Sequence, residues 1–155
     1  MEEKTNVMRL LDGKKLKYKS YFYGDGEAVS ATEVAEILGQ NPDRVFKTLV
    51  TVGKSGKNYV FVVPGSKELD LKKAAKTVGE KSVAMIPSKE LLPLTGYIHG
   101  GCSPIGMKKF FTTTIHQSAE SFETIFFSGG KIGAQVEMST DDLKKIIRFS
   151  FADLI

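Results

Sequence analysis

Two runs rich in β-branched and aromatic residues, Val45 to Val52 and Tyr59 to Val63, flank the turn-forming stretch Lys54-Ser55-Gly56-Lys57-Asn58. This pattern predicts an antiparallel hairpin, because such side chains suit a pleated surface and the intervening residues let the chain reverse. A lone hairpin is marginal in water, so further strands and covering helices must come from the rest of the chain.

Upstream, Val7, Leu10 and Leu11 fit one face of a helix, and Leu16, Tyr18, Ser20 and Phe22 alternate as a strand that ends at Gly24-Asp25-Gly26. Ser30 and Glu33 form a capping-box pattern ahead of Val34, Ile37 and Leu38, with Gly39 as the stop. Downstream, Asp70 caps a short helix through Ala74, Ala75 and Val78 that stops at Gly79. Val83 to Ile86 predicts a strand, and a helix follows near Ser88 to Leu92. Phe110 to Ile115, Glu123 to Ser128 and Lys131 to Met138 predict three more strands, the last two joined at Gly129-Gly130. Asp141 to Ile147 predicts a closing helix. Interspersed helices and strands with short turns predict an α+β domain with a mixed, mostly antiparallel sheet flanked by helices.

With 155 residues, 41% of them hydrophobic, the chain can bury one real core, and residues 1–155 read as a single domain. No apolar run approaches the roughly 18 residues of a membrane span. The acidic start Met1-Glu2-Glu3 lacks the order of a secretory signal, so a cytoplasmic protein without a membrane partner is expected. The 22 basic against 18 acidic residues give a net charge of +4, which favours a polyanionic partner. Arginine occurs only at Arg9, Arg44 and Arg148, so phosphate contacts would be made mostly by lysine point charges.

Cys102 has no second cysteine to pair with, and with only His99 and His116 beside it no Cys/His metal set exists; no metal or cofactor is expected. Gly101 and Gly106 approach a P-loop, but Lys108 stands one residue too far along. Gly101-Cys102-Ser103 begins like a nucleophile elbow, yet Ile105 occupies the place of the second glycine. Gly24 and Gly26 are followed by Val29 where a dinucleotide fingerprint needs a small residue. Cys102 and His99 offer a nucleophile and base on one loop; the competing reading makes Cys102 a small apolar filler. His116, at a strand end, reads as a surface or capping residue.

Three segments remain. They are Val45-Phe46-Lys47-Thr48-Leu49 after Leu38-Gly39-Gln40-Asn41-Pro42-Asp43, the loop Thr95 to Gly106 with Gly-x-x-x-Pro at Gly100 and Pro104, and Phe122-Glu123-Thr124 leading to Ser128-Gly129-Gly130-Lys131. Together with Leu69-Asp70-Leu71-Lys72-Lys73, their order and spacing from about residue 5 to the end resemble the Cys-tRNA(Pro)/Cys-tRNA(Cys) deacylases, the YbaK/EbsC family of the prolyl-tRNA synthetase-associated editing-domain superfamily.

The resemblance implies a barrel-like sheet and a trans-editing aminoacyl-tRNA deacylase that removes cysteine from tRNA(Pro) and from tRNA(Cys). The ester would be cleaved with help from the substrate's own thiol. It implies Lys47 as the essential residue, and a substrate pocket made by Tyr21, Ser30, Thr48, Gly100, Gly101, Cys102, Ser103, Pro104, Ser128 and Gln135. Read without the resemblance, Lys47 is a solvated strand lysine. Ser30 stands where close relatives carry Phe, and Gln135 where they carry Asp. The implied partners are the acceptor end of an aminoacyl-tRNA and prolyl-tRNA synthetase, not DNA. An alanyl-tRNA(Pro) editor and a tRNA-binding module without turnover are the alternatives.

Overall fold

The structure is a computed structural model that describes residues 4–24 and 26–155. The acidic start and the Asp25 of the predicted Gly24-Asp25-Gly26 turn lie outside the described residues. Helix α1 (Asn6–Gly13) begins at Thr5, whose side chain accepts the Met8 amide, and buries Val7, Met8 and Leu11. Strand β1 (Lys19–Phe22) is shorter than the alternation suggested. Helix α2 (Ala31–Leu38) carries the predicted Ser30/Glu33 capping box and ends on Gly39 at φ 65°. A 3-10 turn (Pro42–Arg44) then delivers the chain into β2 (Phe46–Gly53) and β3 (Asn58–Pro64), the predicted hairpin.

Helix α3 (Leu71–Val78) is capped by Asp70 and stopped by Gly79, as its sequence indicates. Strand β4 (Val83–Met85), helix α4 (Ser88–Thr95) and strand β5 (Thr112–His116) follow, with the glycine-rich loop between the last two. Strands β6 (Ile125–Ser128) and β7 (Ala134–Met138) form the second hairpin. The closing helix α5 covers only Thr140–Leu143. Beyond it the bonds tighten to three-residue spacing, Lys145 to Asp142 and Ile146 to Leu143, and the chain leaves to form β8 (Ser150–Ala152), a strand absent from the sequence reading. The reason is tertiary: Ile146, Ile147, Phe149 and Phe151 all pack against the core, which one helical stripe could not achieve.

The strands divide into a three-stranded sheet, β1-β7-β6, and a five-stranded sheet, β4-β2-β3-β5-β8. Pairing is antiparallel except for β3 with β5 and β5 with β8, so the sheets are mixed and mostly antiparallel. They do not close into a barrel; an isolated parallel bridge from Val45 to Phe126 stitches them together. The main core lies between them, with Phe46, Val60, Val62 and Ile115 facing Phe127 and Val136, and α1 covering one side. On the other face of β3, Phe61 and Val63 pack with Ala74, Ala75 and Leu154. β3 is thus buried on both faces, which is why Tyr59 to Val63 reads as an unbroken apolar run.

Candidate active site

The seam between the sheets is held by polar side chains. Arg44 donates from Nε to the Thr124 carbonyl at 3.1 Å, contacts Thr124 Oγ1 and Glu137 Oε2 through Nη2, and lies over the Phe126 ring. Glu137 also accepts the hydroxyls of Thr124 and Tyr21, at 2.5 and 2.6 Å. Burial pushes the Glu137 carboxyl up, but these hydrogen bonds and the Arg44 charge outweigh it and hold the group below the usual range. The seam thereby fixes Val45, two residues ahead of Lys47.

Beside the seam lies a cavity of about 450 Å³. Its origin is a gap in the sheet. Strand β4 pairs with β2 only at Thr51, Val52 and Gly53, and the last rung on that side is the Ile86 amide donating to the Val50 carbonyl. At Pro87 the chain turns into α4, so on that edge Thr48 is left between the Ile86–Val50 bond and the Val45–Phe126 bridge with no residue of β4 opposite it. Backbone groups alternate sides along a strand, so Thr48 presents its N–H and C=O to the same open edge as Val50. Gly65 lines the same space; a Cβ there would meet the Ala31 Cβ at 2.1 Å, so only glycine lets the start of α2 come so close.

Of the predicted site residues, Lys47, Thr48, Ser30, Gly100, Cys102, Ser128 and Gln135 line this cavity. Lys47 is half-buried and has no ion-pair partner among the described residues. Ser30 is at the rim with its hydroxyl held in the α2 cap by Glu33. Ser128 Oγ accepts the Gly130 amide at 3.1 Å. Gln135 sits opposite Ser128 in the β6–β7 ladder and donates from Nε2 to the Tyr23 hydroxyl at 3.5 Å.

The remaining predicted residues stand behind the wall. Gly101 presses on the backbone of Lys131 and Ile132, while Ser103 and Pro104 are buried, with Ser103 Oγ accepting the Ile105 amide. Tyr21 is not on the cavity: its ring packs on Phe126 and its hydroxyl is committed to Glu137, which pushes its pKa up to about 12. The tyrosine on the wall is Tyr23, two residues on, and it was missed along with Gly65 and Ser88. The β1 alternation puts both tyrosines on one face, and residue type alone does not say which one the cavity reaches.

Cys102 and His99 both line the cavity without a hydrogen bond between them among the described residues. Burial pushes the Cys102 thiol up to about 12, so at neutral pH it is a protonated wall group and not a nucleophile. His116 is buried, contrary to the surface reading, and its Nδ1 accepts the Leu154 amide at 3.0 Å. Among the described residues no three His, Cys, Asp or Glu side chains converge as a metal site, and no helix is long and apolar enough to cross a membrane. A shallower depression of about 600 Å³ at the other end of the β2–β3 hairpin, near Lys57, Tyr59 and Phe110, contains none of the predicted site residues.

A lysine and a glycine-bearing loop on one cavity of a mixed α+β scaffold define a class, and the comparisons place the chain in it. Residues 25–146 match the family model of the aminoacyl-tRNA editing domain, and the chain belongs to that family. Within it the chain falls in the YbaK/EbsC branch: it is 46% identical over 154 residues to the Enterococcus faecalis protein provisionally named Cys-tRNA(Pro)/Cys-tRNA(Cys) deacylase EbsC, over 99% of this chain and 94% of that one. An 82-residue stretch is 34% identical to proline-tRNA ligase of Shouchella clausii, covering 53% of this chain and 14% of the ligase. The crystal structure of a provisional trans-editing enzyme for prolyl tRNA synthetase superposes with a TM-score of 0.81 at 25% identity, over 98% of each chain.

Proposed function

We propose that the protein is a trans-editing deacylase that removes cysteine mischarged onto tRNA(Pro), and cysteine from tRNA(Cys), with Lys47 and the Gly100–Pro104 loop holding the aminoacyl end. One observation carries the reading: a half-buried lysine without a counter-ion among the described residues shares a cavity with Gly100, Ser128 and Gln135, and the only thiol there is protonated. The family membership supports the reaction class.

A synthetase pocket shaped for proline rejects an amino acid of similar size by only about 1–3 kcal/mol, so a second site must clear the error. The substrate is already an activated ester. What remains is to hold it, to stabilise the oxygen that gains charge, and to supply a nucleophile. The ammonium of Lys47 meets the second need, its field strengthened where water is thinned out. Gly100, at φ 87°, lets the main chain meet the substrate without an intervening Cβ.

The nucleophile is the substrate's own thiol. Its sulfur bonds to the carbonyl carbon, the bond from that carbon to the ribose oxygen breaks, and the thiol proton ends on that oxygen. Cysteine leaves as a four-membered cyclic thioester and the tRNA is freed. A space of about 450 Å³ takes the aminoacyl group and little of the tRNA body, so choosing the tRNA falls to prolyl-tRNA synthetase as a partner.

Purified protein incubated with Cys-tRNA(Pro), Cys-tRNA(Cys), Ala-tRNA(Pro) and Pro-tRNA(Pro) tests the proposal. Release of cysteine from the first two, with the others spared, is the expected result. Preference for alanine selects an alanyl editor instead, and salt-sensitive tRNA binding without release of any amino acid selects a binding module.

A further inference from the structure

Phe46, Lys47, Thr48, Leu49 and Val50, consecutive residues of β2, all line the cavity. Side chains alternate between the two faces of a strand, so a space lying over one face would touch only every second residue. This space runs along the edge of the strand. Across it stand Met85, Ile86 and Ser88, on the chain that leaves β4 for α4.

The register says which backbone groups that edge exposes. The Gly53 amide donates to the Lys57 carbonyl at 2.8 Å, and the Gly65 amide donates to the Val45 carbonyl at 2.7 Å. Taken with the β2–β3 register, these bonds turn the N–H and C=O of every odd-numbered residue of β2 toward β3, so Lys47 exchanges its bonds with Val63. Even-numbered residues point the other way: Val50 accepts the Ile86 amide at 3.3 Å, and Lys54, in the same phase, donates to the Ser82 carbonyl at 3.0 Å. Thr48 shares that phase, but its N–H and C=O have no partner among the described residues. The sheet has an open rung, and it opens on the cavity.

A missing rung specifies its occupant. Two residues that face each other in an antiparallel pair exchange both bonds, so Thr48 calls for an acceptor and a donor spaced as the C=O and N–H of a single residue. An aminoacyl ester carries that unit once, because its carbonyl carbon and its α-amino nitrogen flank one Cα. A phosphate offers only acceptors. We infer that the aminoacyl group binds as a one-residue strand on the edge of β2, its carbonyl oxygen accepting the Thr48 N–H and its amine donating to the Thr48 C=O. This rests on the deacylase reading and supplies the atoms that hold the reacting centre. The Thr48 amide is a second donor, besides Lys47, to the oxygen that gains charge as the substrate thiol attacks, and the ladder aims it before the substrate arrives. Neither bond involves a substrate side chain. The edge therefore grips any α-aminoacyl ester, and cysteine is singled out by the chemistry of its thiol.

Two measurements test the inference. In the first, amide exchange is followed by NMR in the wild type with and without 3′-deoxy-3′-(cysteinylamino)adenosine, in which an amide replaces the ester. The Thr48 amide is expected to exchange fast in the free protein and about 10-fold more slowly or better with the analogue at saturation, the scale of one hydrogen bond. The Lys47 amide should be protected in both. In the second, Thr48 is replaced by its α-hydroxy acid, which keeps the side chain and removes the N–H, and Val52, whose N–H faces β4, receives the same change as the control. Single-turnover cleavage of Cys-tRNA(Pro) should fall about 100-fold or more in the Thr48 form, the scale of a lost oxyanion donor, and stay near the wild type in the Val52 form. The wild type should also cleave 3-mercaptopropionyl-tRNA(Pro), which keeps the thiol and carbonyl but lacks the amine, about 10-fold more slowly after correction for the uncatalysed rates. A Thr48 amide that the analogue leaves unchanged, a Thr48 form as active as the wild type, or equal corrected rates on the two esters overturns the strand-edge inference while the deacylase reading stands. Should the Thr48 form not fold, the exchange measurement on the wild type decides. A wild type that leaves Cys-tRNA(Pro) intact overturns both.

Discussion

The Val50 carbonyl accepts the Ile86 amide at 3.3 Å, and that bond ends the ladder on one side of β2. Continuing the register by two residues would set Thr48 against Ser88, but Ser88 already opens α4 behind Pro87. The cavity and its unpaired strand edge follow from that interruption.

Lys47→Ala should lower deacylation of Cys-tRNA(Pro) by about 100-fold or more, the usual scale for losing a charge aimed at a developing oxyanion. Lys47 has no ion pair to lose among the described residues, so the melting temperature should stay near that of the wild type. Steady-state rates beside a thermal melt check both halves; a retained rate removes Lys47 from the chemistry.

Cys102 should resist alkylation in the folded protein. With burial pushing its pKa up to about 12, only about one thiol in 10⁴ is ionised at pH 8, and the side chain is 8% exposed. Iodoacetamide labelling followed by mass spectrometry should be slow in buffer and fast in denaturant. Rapid labelling at pH 7 would restore the nucleophile reading.

Gly101→Ala should destabilise the fold by about 1–3 kcal/mol, as overpacking does. A Cβ at this position would stand 3.0 Å from the Lys131 Cα and 3.1 Å from the Ile132 nitrogen, both backbone atoms that cannot rotate away. Urea unfolding should show a lower midpoint with an unchanged slope.

Arg44→Met should cost about 1.5–3 kcal/mol, because Glu137 would keep its burial and lose a charged partner. The same urea experiment measures it. Since the seam fixes Val45 just before Lys47, the rate should fall as well, and a variant with full stability would show that the Val45–Phe126 bridge holds the sheets unaided.

Stability should decline as pH falls through the histidine range. Burial lowers the His116 pKa from the ordinary histidine value of 6.5, with the Asp153 charge opposing the effect, and its Nδ1 must stay unprotonated to accept the Leu154 amide. For a base whose folded pKa is depressed, the stabilisation is present above pH 6.5 and is lost as pH falls through the folded value. The groups around it are Asp153, at 3.9 Å, and Lys73, which pairs with Asp153 at 2.8 Å. Denaturant midpoints at pH 8 and pH 5.5, repeated with His116→Gln, should show a drop in the wild type that shrinks in the variant.

Much of this molecule is local and was therefore legible in its residues. Ser30 with Glu33, Asp70, Gly39 and Gly79 mark helix ends through contacts within a few positions, and all four signals hold in the structure. The hairpin of β2 and β3 follows from strand-forming side chains on either side of a turn. The glycines at 100 and 101 and Pro104 announce a loop for the same reason, and motif spacing carried the family.

What no stretch of sequence contains is where long-range pairing stops. Arg44 meets Glu137 across 93 positions, β8 exists because Thr114 and His116 offer it an edge, and Tyr23 reaches the cavity while Tyr21 turns to Glu137. Caps and turns are decided by neighbours along the chain, whereas a cavity is the space left between elements. Its walls are known only once those elements have been placed.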